Sequence, residues 1–195
     1  QFANQSTSVG LVKAPPQSRT PKKIDMVAIG SSTGGPNALQ TVLSAIPGDF
    51  PVPIVITQHM PPVFTKQLAS RLDHLSSITV LEAEDGMPVL PGQAIIAQGN
   101  YHLTLVRRNH EVLVELNSES AQNSCRPAVD VMFRSVANLY GANTLAVVLT
   151  GMGQDGKLGS ELVHSVGGQI LAQDQASCVV WGMPRAVAES GVADA

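Results

Sequence analysis

Residues 24–46 read IDMVAIGSSTGGPNALQTVLSAI, and this stretch decides the expected fold. The apolar run IDMVAI ends at Gly30 and predicts a buried strand, whereas NALQTVLSAI has the apolar spacing of a helix. Strand, glycine-rich turn and helix in this order form the repeating unit of open α/β sheets, which bind ligands beyond the carboxyl ends of their strands. The turn AIGSSTGGP, residues 28–36, therefore lies where a functional site is expected.

The rest of the chain continues this alternation. Further strands are predicted at VPIVITQ, ITVLEA, AIIAQ, TLAVVLT and QILAQ, and further helices at VFTKQLASRLDHL, AVDVMFRSVANLYG, GSELVHSVG and MPRAVAESG. The segment 101–117 alternates apolar and polar residues on both sides of Arg108-Asn109, which predicts a β-hairpin over about residues 101–116. The sequence thus predicts a three-layer α/β/α sandwich with a mostly parallel sheet and one hairpin.

Composition limits the classes of partner. The 195 residues are 44% hydrophobic, 4% aromatic and 14% charged, with a net charge of −3. Without a basic surplus to neutralise phosphates, a nucleic-acid partner is not expected. No apolar run approaches the length that a membrane span needs, and no metal-ligating motif such as H-E-x-x-H is present. Two isolated cysteines, Cys125 and Cys178, indicate a reducing compartment and hence the cytoplasm.

Residues 1–22 differ from the remainder. They are rich in Gln, Ser and Pro, have no apolar periodicity, and lack the basic start and apolar stretch of a signal peptide. We therefore expect a flexible linker or tail over residues 1–22, followed by one domain over residues 23–195.

The glycine-rich turn does not match the common phosphate-binding loops. Gly30, Gly34 and Gly35 have the wrong spacing for a dinucleotide fingerprint, and Gln58 and His59 follow the second strand where an acidic residue is wanted. A Walker A loop would need a lysine, and the turn contains none. Cofactor binding through this turn is therefore not expected.

The turn does match the G-x-S-x-G pattern, as Gly30-Ser31-Ser32-Thr33-Gly34. This pattern holds a serine on a tight turn between strand and helix, where flanking glycines leave room around its hydroxyl. It selects Ser32 as a candidate nucleophile and makes Ser31 its variable neighbour. On spacing alone, a simple helix N-cap role for Ser32 remains an equal alternative.

A nucleophilic serine needs a general base, and His59 is the best-placed histidine. It directly follows the second predicted strand, so Ser32 and His59 would emerge at one edge of the sheet if the first two strands are parallel neighbours. The remaining histidines fall on predicted helices or on the hairpin: His74, His102, His110 and His164. A loop histidine bonded to the backbone is the alternative for His59.

The base in turn needs an orienting carboxylate. Asp155 lies in the glycine-rich loop of VVLTGMGQDGKLG, after another apolar strand. An ordinary Asp-Gly turn is the alternative, and Asp130 and Asp174 are rival acids. The order Ser, His, Asp differs from that of the α/β-hydrolases, which suggests the same chemistry on a different sheet.

Four segments together resemble the catalytic domain of the bacterial chemotaxis protein-glutamate methylesterases. They are AIGSSTGGP, TQHMPP, VLTGMGQDGKLG and AQDQASCVVWGMP, in this order, and the resemblance covers roughly residues 24–195. It implies a parallel α/β sheet in which a β-hairpin takes the place of a helix. Carried over by motif, the family's triad corresponds to Ser32, His59 and Asp155.

The resemblance also implies an activity and partners. The family hydrolyses glutamate methyl esters on the cytoplasmic helices of chemoreceptors, releasing methanol, and some members deamidate receptor glutamines. Members usually carry an N-terminal phosphorylated receiver domain, which is not expected within these 195 residues. The implied mechanism uses backbone N–H groups near Thr33 or Met152 for the oxyanion and needs no metal or cofactor. Ser31 and SCRPAVD (124–130) depart from the usual pattern.

Two alternatives remain open from the sequence. The domain could be a receptor-docking module with an inactive site, or it could perform the same reaction in a signalling pathway other than chemotaxis. The presence of Ser32, His59 and Asp155 together argues against a docking module with an inactive site. Nothing in the sequence distinguishes a chemotaxis pathway from another signalling pathway.

Overall fold

The computed structural model describes residues 23–195, so the linker expected over residues 1–22 lies outside the described residues. The strands are β1 (Met26–Ser31), β2 (Ile54–Gln58), β3 (Thr79–Glu82), β4 (Gln93–Ile96), β5 (His102–Arg108), β6 (Glu111–Asn117), β7 (Thr144–Val148) and β8 (Gln169–Ala172). The helices are α1 (Gly35–Ser44), α2 (Phe64–Leu75), α3 (Val129–Tyr140), α4 (Lys157–Ser165) and α5 (Met183–Glu189).

A six-stranded sheet has the order β3-β4-β2-β1-β7-β8, and all of its strand pairs are parallel. Every residue of β1 is buried, which explains why its sequence is a continuous apolar run rather than an alternation. The chain leaves β1 toward β2 on one side and returns with β7 on the other. The carboxyl end of β1 is therefore a point where the strand order reverses, the usual place of a ligand site in such sheets.

The two faces of the sheet bury separate apolar cores. On one face, Leu39 and Leu43 of α1 and Leu72 of α2 pack against β1, β2 and β4. On the other face, Phe133 of α3 and Val187 of α5 belong to a core shared with the hairpin. Burying one such side chain contributes about 1.5–3 kcal/mol relative to leaving it exposed. This arrangement confirms the predicted three-layer α/β/α sandwich.

The predicted hairpin is present as a separate antiparallel sheet of β5 and β6. Arg108 pairs with Glu111, and Asn109 between them has a φ of 56°, which suits a tight two-residue turn. Among residues 23–195, no helix is both long and apolar enough to cross a membrane.

Candidate active site

Three neighbouring strands bring the sequence-predicted site residues to one edge of the sheet. β1 and β2 are parallel neighbours in which Ser31 pairs with Gln58, so Ser32 and His59 leave the sheet side by side. β7 pairs with β1 on its other side, and the loop that follows β7 carries Asp155. The expected adjacency of the first two strands is thus confirmed.

The two serines of the turn have different environments. Ser31 is fully buried and its hydroxyl donates to Oε1 of Gln58 at 2.7 Å. Ser32 is half-buried, and its Oγ makes no hydrogen bond to any other group of residues 23–195. A Cβ at Gly151 would lie 2.8 Å from Cβ of Ser32, so only glycine lets the β7–α4 loop come this close. Within residues 23–195, Ser32 is therefore the serine of this turn whose hydroxyl is left without a hydrogen-bond partner.

His59 is hydrogen-bonded to Asp155, with Nε2 and Oδ2 separated by 2.7 Å. The His59 side chain is 12% exposed and that of Asp155 only 2%. Because an ionised carboxylate can only accept, Nε2 donates and the neutral ring keeps its lone pair on Nδ1. Nδ1 faces Sγ of Cys125 at 3.5 Å. The geometry thus leaves Nδ1 as the ring atom able to accept a proton.

Asp155 is held by several donors besides His59. The backbone N–H groups of Val129 and Asp130, at the start of α3, donate to its two oxygens at 2.7 and 3.0 Å. Nδ2 of Asn123 donates to Oδ1 at 2.9 Å. Burial by itself raises the pKa of Asp155, but the hydrogen bonds from His59 and the backbone outweigh it, and the pKa lies below its ordinary value. Asp155 is therefore kept ionised against His59.

Asp130 is not bonded to His59 but lies behind Asp155. Its Oδ1 accepts the N–H groups of Gly156 and Gly159 at the start of α4. Asp155 thus accepts N–H groups at the start of α3, the helix that contains Asp130. Asp130 in turn accepts N–H groups at the start of α4, the helix that follows Asp155. Burial raises the pKa of Asp130, and the charge of Asp155 adds to this effect. Asp130 is the second residue of α3, yet its carboxylate binds the start of the neighbouring helix α4.

A tight turn at residues 122–125 adds three contacts that the sequence analysis missed. Gln122 and Cys125 pair with each other, and Asn123 and Ser124 between them both have positive φ. This turn directs the Asn123 amide onto Asp155 and Asp130 and the Cys125 thiol onto His59. Burial raises the pKa of the Cys125 thiol, so the neutral thiol faces Nδ1. The Asn-Ser pair, typical of tight turns, is the one signal that could have located it.

The remaining candidates lie elsewhere. Asp174 is exposed and accepts hydrogen bonds from Ser177 in its own loop. His102 is the first residue of the hairpin strand β5 and is buried, and its Nδ1 accepts the N–H of Ala128 at 3.2 Å. His74 lies on the exposed side of α2 and contacts the carbonyl of Ser70. None of these three forms a hydrogen bond with Ser32, His59 or Asp155 within the described residues.

The expected oxyanion donors border the same edge. Thr33 directly follows Ser32, and Met152 follows Gly151, which abuts Ser32. Among residues 23–195 no acceptor is paired with the backbone N–H of Thr33 or of Met152. The Met152 side chain is 69% exposed. Two unpaired donors beside the serine could hold a developing negative charge.

A metal ion would need a cluster of ligating side chains. Over the range 23–195, no group of three or more His, Cys, Asp and Glu side chains is arranged to hold a metal ion.

Acid should remove the stabilisation that Asp155 provides. Because its pKa is lower in the folded protein than in the unfolded chain, this contribution is complete above the unfolded value, about 3.9. It is lost as the pH falls through the folded value. We expect the difference in free energy of unfolding between wild type and Asp155→Asn to shrink as the pH falls from about 6 to about 3. Urea denaturation followed by circular dichroism measures it.

The control for this measurement is Asp49→Asn, which removes a negative charge from the exposed turn after α1. The pH dependence found for Asp155→Asn should exceed that of this variant, which loses a carboxylate from an exposed turn. A wild-type advantage over Asp155→Asn that is constant with pH would contradict the lowered pKa.

Comparison with known proteins places these features in context. Residues 27–195 match the family model described as CheB methylesterase. A protein-glutamate methylesterase/protein-glutamine glutaminase of Trichodesmium erythraeum is 56% identical over 172 residues, covering 88% of this chain and 49% of the relative. A protein of the same name from Thermotoga maritima is 50% identical over 169 residues, covering 87% of this chain and 49% of the relative.

The structural comparison gives the same result. The crystal structure of the Thermotoga maritima CheB methylesterase catalytic domain matches with a TM-score of 0.86 and 48% identity, covering 89% of this chain and 92% of that one. The chain spans about half the length of the curated relatives it matches, 49% in both cases above.

Proposed function

The chain belongs to the CheB methylesterase family, and on this basis we propose that it is a serine hydrolase acting on protein glutamate methyl esters. Its substrates are glutamate side chains on the cytoplasmic helices of methyl-accepting chemotaxis receptors, and its product is methanol. The observation that carries the proposal is the 2.7 Å hydrogen bond between His59 and Asp155 at the strand edge where Ser32 emerges.

In the proposed reaction Ser32 is the nucleophile and His59 the general base. Ser32 Oγ attacks the ester carbonyl carbon while its proton passes to Nδ1 of His59. The imidazolium then protonates the methoxy oxygen, and methanol leaves. Water attacks the acyl-enzyme in the same way and releases glutamate. Ser32 and Nδ1 are not hydrogen-bonded in this structure, and such bonds often tighten only when substrate is bound.

Asp155 has two tasks in this scheme. It keeps the proton of the neutral ring on Nε2, so that Nδ1 carries the lone pair that takes the proton from Ser32, and its charge stabilises the imidazolium that forms. The support for this assignment is the lowered pKa of Asp155, since only an ionised carboxylate performs both tasks.

We assign the oxyanion to the backbone N–H groups of Thr33 and Met152. In comparable enzymes one such donor is worth about 3 kcal/mol of transition-state stabilisation. The same acyl-transfer steps with ammonia as leaving group would deamidate receptor glutamines, as the second half of the relatives' name describes. The proposed catalytic domain spans residues 23–195 and works in the cytoplasm.

The test is methanol release from membranes that contain methylated receptors of the source organism. We expect the purified chain to release methanol catalytically, and a serine-directed organophosphonate to label Ser32 and stop the release. A chain that binds receptor membranes but neither releases methanol nor reacts with the phosphonate would be a docking module instead. Methanol release without labelling at Ser32 would contradict the assignment of the nucleophile.

A further inference from the structure

Gln58 is a buried polar side chain for which the proposed mechanism has no use. It is the last residue of β2, directly before His59, and is 2% exposed. Its Oε1 accepts the Ser31 hydroxyl at 2.7 Å. Its Nε2 donates to the carbonyl of Ser32 at 2.9 Å and to the carbonyl of His59 at 3.0 Å. One amide therefore joins the backbone of the proposed nucleophile to the backbone of the proposed base.

The orientation of this amide follows from its partners. The carbonyl oxygens of Ser32 and His59 can only accept, so the end of the side chain that faces them must be the NH₂ group. The Ser31 hydroxyl is then left to donate to Oε1. Both N–H donors of the NH₂ group are thus used, one for the carbonyl of Ser32 and one for the carbonyl of His59. A side chain without two donors at this position cannot reproduce the arrangement.

The surroundings leave the amide little freedom to move. A Cβ at Gly35 would overlap Oε1 of Gln58 and lie 2.9 Å from Oγ of Ser31, so the start of α1 packs directly on this pair. The N–H of His59 also donates to the carbonyl of Ser31 at 3.0 Å, which continues the β1–β2 pairing to the edge of the site. Past this backbone hydrogen bond, the two segments are joined by a side chain: within the described residues, the Gln58 amide bonds both Ser32 and His59.

We propose that Gln58 is a positioning residue for the hydrolysis: its amide sets the placement of Ser32 relative to His59, and the Ser31 hydroxyl holds the other end of that amide. The inference rests on the proposed function of Ser32 and His59. Misplacing a reacting group by about 1 Å can cost about 100-fold in rate. Gln58 is buried and bonds only the Ser31 hydroxyl and two backbone carbonyls, so its loss should lower kcat and leave KM for receptor membranes nearly unchanged.

Three variants separate the bonds of this group. Gln58→Met keeps the length of the side chain and removes all of its hydrogen bonds. Gln58→Glu keeps an acceptor for Ser31 but turns a second oxygen toward the carbonyls of Ser32 and His59. Ser31→Ala leaves both donors of Gln58 in place and removes only the bond that holds the oxygen end of the amide.

Thr57→Val is the matched control. Thr57 precedes Gln58 in the same strand and is fully buried, but its hydroxyl faces Met132 of α3 at 3.2 Å, on the other side of the sheet. Its loss removes one buried hydrogen bond from β2 without touching the Ser32 or His59 segments. Any effect that comes only from a weaker β2 strand should therefore appear in Thr57→Val as well.

Two readouts are compared at a temperature where every variant is folded. One is kcat and KM for methanol release from receptor membranes, and the other is the rate of Ser32 labelling by an organophosphonate, which needs no receptor. For Gln58→Met and Gln58→Glu we expect kcat and labelling to fall about tenfold or more, with KM within about threefold of wild type. Ser31→Ala should slow both by about threefold, and Thr57→Val should change neither.

The outcomes are decisive in each case. Folded Gln58 variants that label and turn over as fast as Thr57→Val overturn the proposal, as does a loss carried by KM instead of kcat. If both Gln58 variants fail to fold, Ser31→Ala decides, and a wild-type labelling rate in that variant overturns the proposal. Failure of the methylesterase assignment itself would appear in wild type, as labelling of Ser32 without methanol release.

Discussion

Ser32→Ala should abolish methyl-ester hydrolysis, with a loss of about 10⁴-fold or more in kcat/KM. The substitution removes the oxygen that forms the acyl-enzyme, and the hydroxyl of Ser31 cannot replace it because it is buried against Gln58. The variant should fold normally, since Ser32 Oγ makes no hydrogen bond within residues 23–195 whose loss would cost stability. Methanol release, organophosphonate labelling and urea denaturation measure the three expectations.

Ser31→Ala is the matched control for this loss, being the same substitution one residue earlier in the turn. It should keep its hydrolysis rate and its labelling rate within about threefold of wild type and retain all of the labelling stoichiometry. If Ser31→Ala has no activity and Ser32→Ala is active, the assignment of Ser32 as the nucleophile from the G-x-S-x-G pattern is wrong.

Asp155→Asn should lower kcat by about 10⁴-fold, the effect of the same change in a serine protease triad. An amide that presents its NH₂ group to Nε2 would make that atom an acceptor and move the ring proton to Nδ1, where it blocks transfer from Ser32. An amide that presents its oxygen keeps the tautomer but supplies no charge for the imidazolium. His59→Gln should lose activity to a similar extent. Single-turnover methanol release at neutral pH measures both losses.

Asp174→Asn is the control, because Asp174 is exposed and bonded within its own loop, and its turnover should stay near that of wild type. Circular dichroism must show that Asp155→Asn is folded, since Asp155 also binds the start of α3. A loss below about tenfold in folded Asp155→Asn, together with a larger loss in Asp130→Asn, would make Asp130 the orienting acid instead.

Much of the fold was readable from local pattern. The buried run before Gly30, the helical spacing after Pro36 and the alternation around Asn109 each depend on neighbours within a few residues, and the structure contains a strand, a helix and a hairpin there. The candidate site was readable to the same extent, because Ser32 and His59 were each identified by their position just after a strand. Their roles in catalysis remain predictions that the substitutions above test.

Local sequence patterns did not show which of Asp130, Asp155 and Asp174 contacts His59. Asp155 and Asp174 both follow an apolar strand, and only the sheet order separates them: β7 lies beside β1, whereas β8 lies at the edge. Asp155 therefore reaches His59, 96 residues away in sequence, and Asp174 does not. Strand order depends on which strands pair across the whole chain, and no local pattern encodes it.

By itself the sequence determined the layer architecture, the hairpin and the turn that presents Ser32, because periodicity, glycines and strand ends act over short distances. Only the tertiary structure decided which atoms meet there: Nε2 of His59 with Asp155, the Gln58 amide with two backbone carbonyls, and each of two aspartates with the helix of the other. The physical reason is that buried polar groups must find partners wherever packing brings a donor and an acceptor together, and in this protein most of those partners come from distant parts of the chain.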